Sequence, residues 1–205
     1  MPYAVKEIYF TIQGEGAQTG RPAVFLRFAG CNLWSGKEVD RATARCSFCD
    51  TDFVGVDGPG GGRFETAEDL ARAVARHGSG FVVCTGGEPL LQLDAPAIAA
   101  LHTAGFEVAV ETNGTQPALE GLDWICMSPK ANVPVVLTSG DELKLIYPQD
   151  GADPEDFAGL AFDHFFLQPM DGPDLERNTD FAITYCREHP QWKLSVQVHK
   201  YLGVP

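Results

Sequence analysis

Three cysteines and a set of polar strand ends carry the chemistry of this 205-residue chain. Cys31, Cys46 and Cys49 fall in one segment, CNLWSGKEVDRATARCSFCD, with fourteen residues between the first two and two between the last two. A loop that returns the first thiolate to the other two can bring all three to one metal centre. A closed zinc site takes four ligands. The segment holds no histidine, and the next one is His77, at the end of an expected helix. Three thiolates without a fourth suit a [4Fe–4S] cluster with one open iron, where a substrate or cofactor can bind. In isolation the Cys-x-x-Cys pair reads equally well as a redox pair or half of a zinc knuckle. Cys84, Cys126 and Cys186 fall on two expected strands and a helix, and read as ordinary buried thiols.

A second signal is Thr85–Pro89, TGGEP, after the apolar run Phe81–Cys84. Gly86 and Gly87 expose backbone to a ligand, and Glu88 can hold an ammonium. Glu111–Gly114 (ETNG), Ser128–Lys130 (SPK) and Gln168–Pro169 follow later apolar runs in the same way. Each alone reads as a turn or a helix cap. Ligands of parallel α/β folds lie beyond the carboxyl ends of the strands, so together these ends describe one binding rim.

The elements that must position this rim alternate between short apolar runs and amphipathic helices, the pattern of a parallel sheet. Strands are expected near Ala23–Phe28, Phe81–Cys84, Glu107–Glu111, Trp124–Met127, Glu142–Ile146 and Phe165–Leu167, with an edge run at Lys193–Val198. One helix starts from a Thr66 cap and stops at Gly78; a second runs from an Asp94 cap to Gly105. A third begins at Asn178 or Thr179 and ends before Pro190. The links 128–141 and 150–163 hold prolines and glycines and give no convincing helix. The expected fold is an α/β, partial and shortened (β/α) barrel, with about six parallel strands and three main helices. Gly58–Gly62 (GPGGG) reads as a flexible loop, and no domain boundary is visible, so residues 1–205 are expected to form one domain.

Composition narrows the partners. Lys and Arg number 15 against 28 Asp and Glu, for a net charge of −13, which repels phosphate backbones and argues against nucleic acid. No apolar run could span a bilayer and the first twelve residues lack a signal-peptide form. The expectation is a cytoplasmic protein without a membrane partner, whose six cysteines are not disulfides.

The segments IYFTIQGEG, FLRFAGCN, SFCDT, TGGEP, ETNG, SPK and HKYLGVP together resemble the radical S-adenosylmethionine enzymes, and within them the 7-carboxy-7-deazaguanine synthase family. The superfamily pattern is Cys-x3-Cys-x2-Cys; the longer first spacing here is a departure found in some members of that family. The resemblance implies a homodimer and an electron donor such as flavodoxin or ferredoxin. It also implies the reaction, in which 6-carboxy-5,6,7,8-tetrahydropterin becomes 7-carboxy-7-deazaguanine with loss of ammonia, on the way to queuosine and other deazapurines. Cys31, Cys46 and Cys49 are then the [4Fe–4S] ligands, and reductive cleavage of S-adenosylmethionine gives the radical that takes hydrogen from the pterin. Thr85, Gly86, Gly87 and Glu88 are expected beside the methionyl ammonium, Ser128 and Lys130 at its carboxylate or the ribose, Asn113 and Gln168 at the ribose or adenine, and Phe48 on the adenine. Gln13, Gly14, Glu15, Arg27, Glu111 and His199 are expected at the pterin, with Arg27 clamping its carboxylate. Pro205 is expected there too, its terminal carboxylate accepting from the pyrimidine edge. Thr51, after the third cysteine, matches a position that contacts Mg²⁺. A glycyl-radical activating enzyme shares the cysteine and Gly-Gly-Glu layout but has no use for QGEG and HKYLGVP. A non-catalytic zinc or iron–sulfur module is the reading from outside enzymology.

Overall fold

The computed structural model describes residues 2–78 and 80–205. The hydrophobic runs form β1 (Tyr3–Ile12), β2 (Pro22–Phe28), β3 (Gly62–Phe64), β4 (Phe81–Gly86), β5 (Glu107–Thr112), β6 (Trp124–Met127), β7 (Ser139–Tyr147), β8 (Ala161–Pro169) and β9 (Trp192–Leu194). The helices are α1 (Ala67–Ala75), α2 (Ala95–Thr103), α3 (Leu175–Glu188) and α4 (Val198–Leu202). All nine strands join one sheet in the order β3-β1-β2-β4-β5-β6-β7-β8-β9, whose end strands do not meet. From β2 to β9 every neighbouring pair is parallel, while β1 pairs antiparallel with both β2 and β3. The result is an open, partial barrel.

Alternation within each strand sorts residues between two faces. Val24, Leu26, Val82, Cys84, Val108 and Val110 point outward and pack under α1 and α2, with Leu70, Val74, Ile98 and Leu101 facing them. Met127, Leu143, Leu145 and Leu167 pack under α3 against Ala182 and Trp192. Each such Leu or Ile contributes roughly 1.5–3 kcal/mol by leaving water. The expected caps are in place: Thr66 Oγ1 accepts from the Asp69 N–H and Asp94 Oδ1 from the Ala97 N–H. The opposite face, with Ala23, Phe81, Val83 and Ala109 at its lower end, lines the inside of the half-barrel.

One strand lay outside the expectations, and three expectations need correction. β1 escapes a period-2 reading because a register shift between Val5 and Glu7 puts both Val5 and Ile8 in the core. The glycine run 58–62 is packed, not loose. A Cβ on Gly61 would lie 2.2 Å from the Lys6 carbonyl oxygen, so only glycine lets this segment lie along β1. The Ile8 N–H donates to Pro59 O at 2.8 Å and the run leads into β3. α3 starts at Leu175, and Asn178 is a buried residue whose side-chain amide donates to Met170 O, not a cap. The edge run 193–198 is strand only to Leu194; Val198 opens α4, which ends at Gly203 with φ +66°.

Candidate active site

A cavity of about 430 Å³ opens at the carboxyl ends of the parallel strands. Nineteen of the twenty residues expected at the site line it: the three cysteines, Phe48, Thr51, Thr85, Gly86, Gly87, Asn113, Ser128, Lys130, Gln168, Gln13, Gly14, Glu15, Arg27, Glu111, His199 and Pro205. The exception is Glu88.

The cysteine loop leaves β2 and returns through a short 3-10 turn, Glu38–Thr43, anchored by Trp34. Trp34 is buried edge-on against Phe53 and lies under the Arg41 guanidinium, which also donates to the Ser47 and Cys49 carbonyls. The insert between Cys31 and Cys46 is therefore held in place. Contact with the Cys46 thiol lowers Cys49 to about 6 despite its burial, and the same contact drives Cys46 up. Of the three thiols, Cys49 is thus the one most readily deprotonated. Among the described residues no three His, Cys, Asp or Glu side chains gather as they would around one metal ion. A [4Fe–4S] cluster would be held by thiolates alone, and Cys31, Cys46 and Cys49 are the residues here that would hold it.

Gly86 and Gly87 form a cradle beside this loop. A Cβ on Gly86, at φ +133°, would sit 2.2 Å from Phe28 O, and one on Gly87 would sit 2.1 Å from Gly30 O and 2.7 Å from Cys31 Cβ. The Gly87→Ala protein is accordingly expected to lose about 1–3 kcal/mol of stability and to bind S-adenosylmethionine and iron more weakly, because the methyl displaces Cys31. Thermal melting and iron content check this; an unchanged iron content removes the link to Cys31.

Glu88 stands behind the cradle and is 0% exposed. Its Oε1 accepts from the Leu90 N–H and Thr112 Oγ1, and its Oε2 from the Asn113 N–H. The carboxylate thus braces the TGGEP turn of β4 to the end of β5 and does not face the cavity. Asn113 Nδ2 donates to Asn32 Oδ1, tying the ETNG turn to the residue after Cys31. Lys130 Nζ folds back onto Ser128 O and Oγ at 2.6 and 2.7 Å, and burial lowers its pKa.

The lower wall is polar. Gln13 Nε2 donates to Glu111 Oε1 at 2.9 Å, and Arg27 donates from Nε to Glu7 Oε1 and from Nη2 to the Tyr9 hydroxyl. The chain end closes the other side. The Val198 N–H donates to Gly14 O, Thr11 Oγ1 donates to Pro205 O, and His199 packs so closely on Gly14 that a Cβ there would lie 2.3 Å from Nδ1. Lys200 pairs with Asp50 at 3.1 Å and with Asp171, so α4 is fastened to the cysteine loop and to the end of β8.

The pattern of the radical SAM superfamily matches residues 40–156, which takes in Cys46, Cys49 and the strand ends through β7. A 7-carboxy-7-deazaguanine synthase from Caulobacter vibrioides is 65% identical over 210 residues and covers 100% of both chains. The chain belongs to the 7-carboxy-7-deazaguanine synthase family. Its relative in Burkholderia multivorans is 60% identical, again over 100% of both chains. The crystal structure of QueE from Escherichia coli superposes with a TM-score of 0.71 at 28% identity, covering 97% of this chain and 95% of that one. Membership of a radical SAM family brings a [4Fe–4S] cluster and S-adenosylmethionine. The residues present fit both: three thiols on one wall, and a glycine cradle that any side chain would fill.

Sequence reasoning missed Lys144 and Glu142, which stand under the cavity on β7. Their signal was present in ELKLI, where two charges sit two apart in a run read as a buried central strand. Gln197, which donates to Glu15 Oε1 at 2.9 Å, carried no such signal. Cys126 also borders the cavity, its thiol donating to Glu142 Oε1.

Proposed function

We propose that this chain catalyses the radical ring contraction of 6-carboxy-5,6,7,8-tetrahydropterin to 7-carboxy-7-deazaguanine, with loss of ammonia, in deazapurine biosynthesis. The observation that carries this reading is that one cavity holds three cysteines, a glycine cradle and a polar floor made of Gln13, Glu15, Glu111 and Arg27. When bound, the cluster and S-adenosylmethionine supply a carbon-centred radical that takes hydrogen from the substrate. The protein's part is to hold and shield. Gly86 and Gly87 admit the methionyl group by backbone alone, Ser128 and Lys130 offer an O–H and N–H donors to its carboxylate or the ribose, and Asn113 and Gln168 offer amides to the nucleoside. Phe48 provides an apolar face between two cluster ligands.

At the floor, Arg27 already gives Nε and Nη2 to protein partners and keeps Nη1 for a substrate carboxylate. Gln13, Glu15 and Glu111 present acceptors to the N–H edge of a pterin, and His199 and Pro205 close the site from the chain end. Thr51 and Asp50 bring hard oxygens to the cavity wall and would hold a Mg²⁺ ion, which takes oxygen ligands. The reading includes one domain, a homodimer and a flavodoxin- or ferredoxin-like donor in the cytoplasm. No described helix is long and apolar enough to cross a membrane.

The test is turnover. Reconstituted enzyme with reductant, S-adenosylmethionine and the carboxytetrahydropterin is expected to give a product of the deazaguanine's mass. Thr51→Ala is expected to keep its iron and its S-adenosylmethionine affinity while losing most of the rate response to added Mg²⁺, and Thr51→Ser to retain it. No product from the wild-type enzyme overturns the reading. An undiminished Mg²⁺ response in Thr51→Ala removes that residue from the metal site.

A further inference from the structure

Charges in the middle of a buried parallel strand are costly unless paired, and β7 places two on its cavity face, Glu142 at 2% and Lys144 at 3% exposure. Both point at loop 13–18, which carries QGEG from β1 to β2. Lys144 Nζ lies 2.6 Å from Glu15 Oε2 and 3.6 Å from Glu111 Oε1. The Glu15 N–H donates to Gln13 Oε1 at 3.1 Å, and Gln13 Nε2 donates to Glu111 Oε1 at 2.9 Å. These contacts close a ring of Lys144, Glu15, Gln13 and Glu111, in which Lys144 is the cation. Beside it, Glu142 Oε2 accepts from the Ala17 N–H at 2.8 Å, and a Cβ on Gly16 would lie 1.9 Å from Glu142 Oε1.

We propose that Lys144 is a positioning residue for substrate recognition: by holding the Glu15 carboxylate it locks the Gln13–Glu15 loop against Glu111 and fixes the floor that receives the pterin. The proposal rests on the pterin reading of the cavity. Glu15 stands between Gly14 and Gly16, so its own backbone gives it little stiffness. A buried ammonium beneath it supplies what the loop lacks. Burial works against the Glu15 charge, yet Lys144, with hydrogen bonds from Gln197 and Gln168, outweighs it and brings the carboxyl to about 2. The other titratable groups around Lys144 are Glu111, Cys126 and Glu142, with Lys130 beyond them. Without the ammonium, only the amide donors of Gln197 and Gln168 oppose burial, and Glu15 takes up its proton at higher pH.

The experiment is a double-mutant cycle on the reconstituted enzyme: Lys144→Met, Glu15→Gln and the pair together. It reads the dissociation constants of carboxytetrahydropterin and of S-adenosylmethionine separately, the former across pH. Lys144→Met is expected to weaken pterin binding about tenfold or more, increasingly so as pH falls, with S-adenosylmethionine binding unchanged. The single variant leaves a buried carboxylate unpaired and can fail to fold; the double variant removes both charges and is compared with Glu15→Gln. If Lys144 acts through Glu15, those two bind the pterin equally. If the double variant is weaker than Glu15→Gln by the factor expected of an independent contact, or if Lys144→Met binds normally at every pH, the proposal fails. Wild-type enzyme that does not bind the pterin overturns the substrate reading itself, and the proposal with it.

Discussion

Alanine at Cys31, Cys46 or Cys49 is expected to remove the broad iron–sulfur absorption and to take S-adenosylmethionine cleavage to background, while substitution of the other three cysteines leaves both in place. The difference lies in what each sulfur faces. The first three line the wall that also carries the Gly86–Gly87 cradle, and a cluster held there as proposed would lose a covalent ligand with any of them. Cys84 is fully buried in the core beneath α1 and α2, on the face of the sheet away from the cavity, so its sulfur is out of reach of a cluster there. Cys186 is on α3, against the outer face of the sheet. Cys126 is the demanding control because it also borders the cavity. Its thiol is buried, is pushed up by that burial and by Glu142, and donates to Glu142. Cys84→Ala and Cys186→Ala are expected to cost about 1 kcal/mol, and Cys126→Ser, which keeps a donor for Glu142, about as little. Iron content, absorption and melting temperature of the six purified variants decide it. Bleaching by Cys126→Ser with retention in Cys31→Ala would show the ligand set to be wrong.

The parallel strands were legible because burial on both faces makes them short continuous apolar runs, and Trp124–Met127 has the same bounds in sequence and structure. β1 was not legible, since its bulge spoils the alternation on which a strand reading depends. The glycine run misled for a related reason. Glycine signals either freedom or close approach, and only the neighbouring Lys6 and Ile8 backbone shows that close approach is the case here. At the site, residues at strand ends were readable because a parallel sheet sends every carboxyl end to one side. Lys144 was harder to see because its meaning depends on Glu15 and Glu111, both distant in sequence, being brought to it.

Glu88 shows where motif reading needs geometry. As part of Gly-Gly-Glu after a strand it reads as an anion for the methionyl ammonium, yet three protein donors already occupy it: the Leu90 N–H at 3.0 Å, Thr112 Oγ1 at 2.7 Å and the Asn113 N–H at 2.8 Å. Glu88→Ala leaves these donors without an acceptor in a wall no water reaches, at about 1–3 kcal/mol for each that cannot turn elsewhere. A net loss of about 3–5 kcal/mol is expected, which for a chain of this size lowers Tm by about 6–20 °C. Glu88→Gln is expected to fall between. Its amide oxygen can replace Oε1 and accept from the Leu90 N–H and Thr112 Oγ1, but the NH₂ then faces the Asn113 N–H. Weaker S-adenosylmethionine binding should follow in the order of lost stability, since the turn carrying Gly86 and Gly87 moves when its brace goes. Scanning calorimetry and equilibrium binding on the same preparations separate the two roles. A direct ligand of the ammonium would lose affinity in Glu88→Gln with Tm unchanged, and that result would return Glu88 to the cavity wall and sink the bracing role.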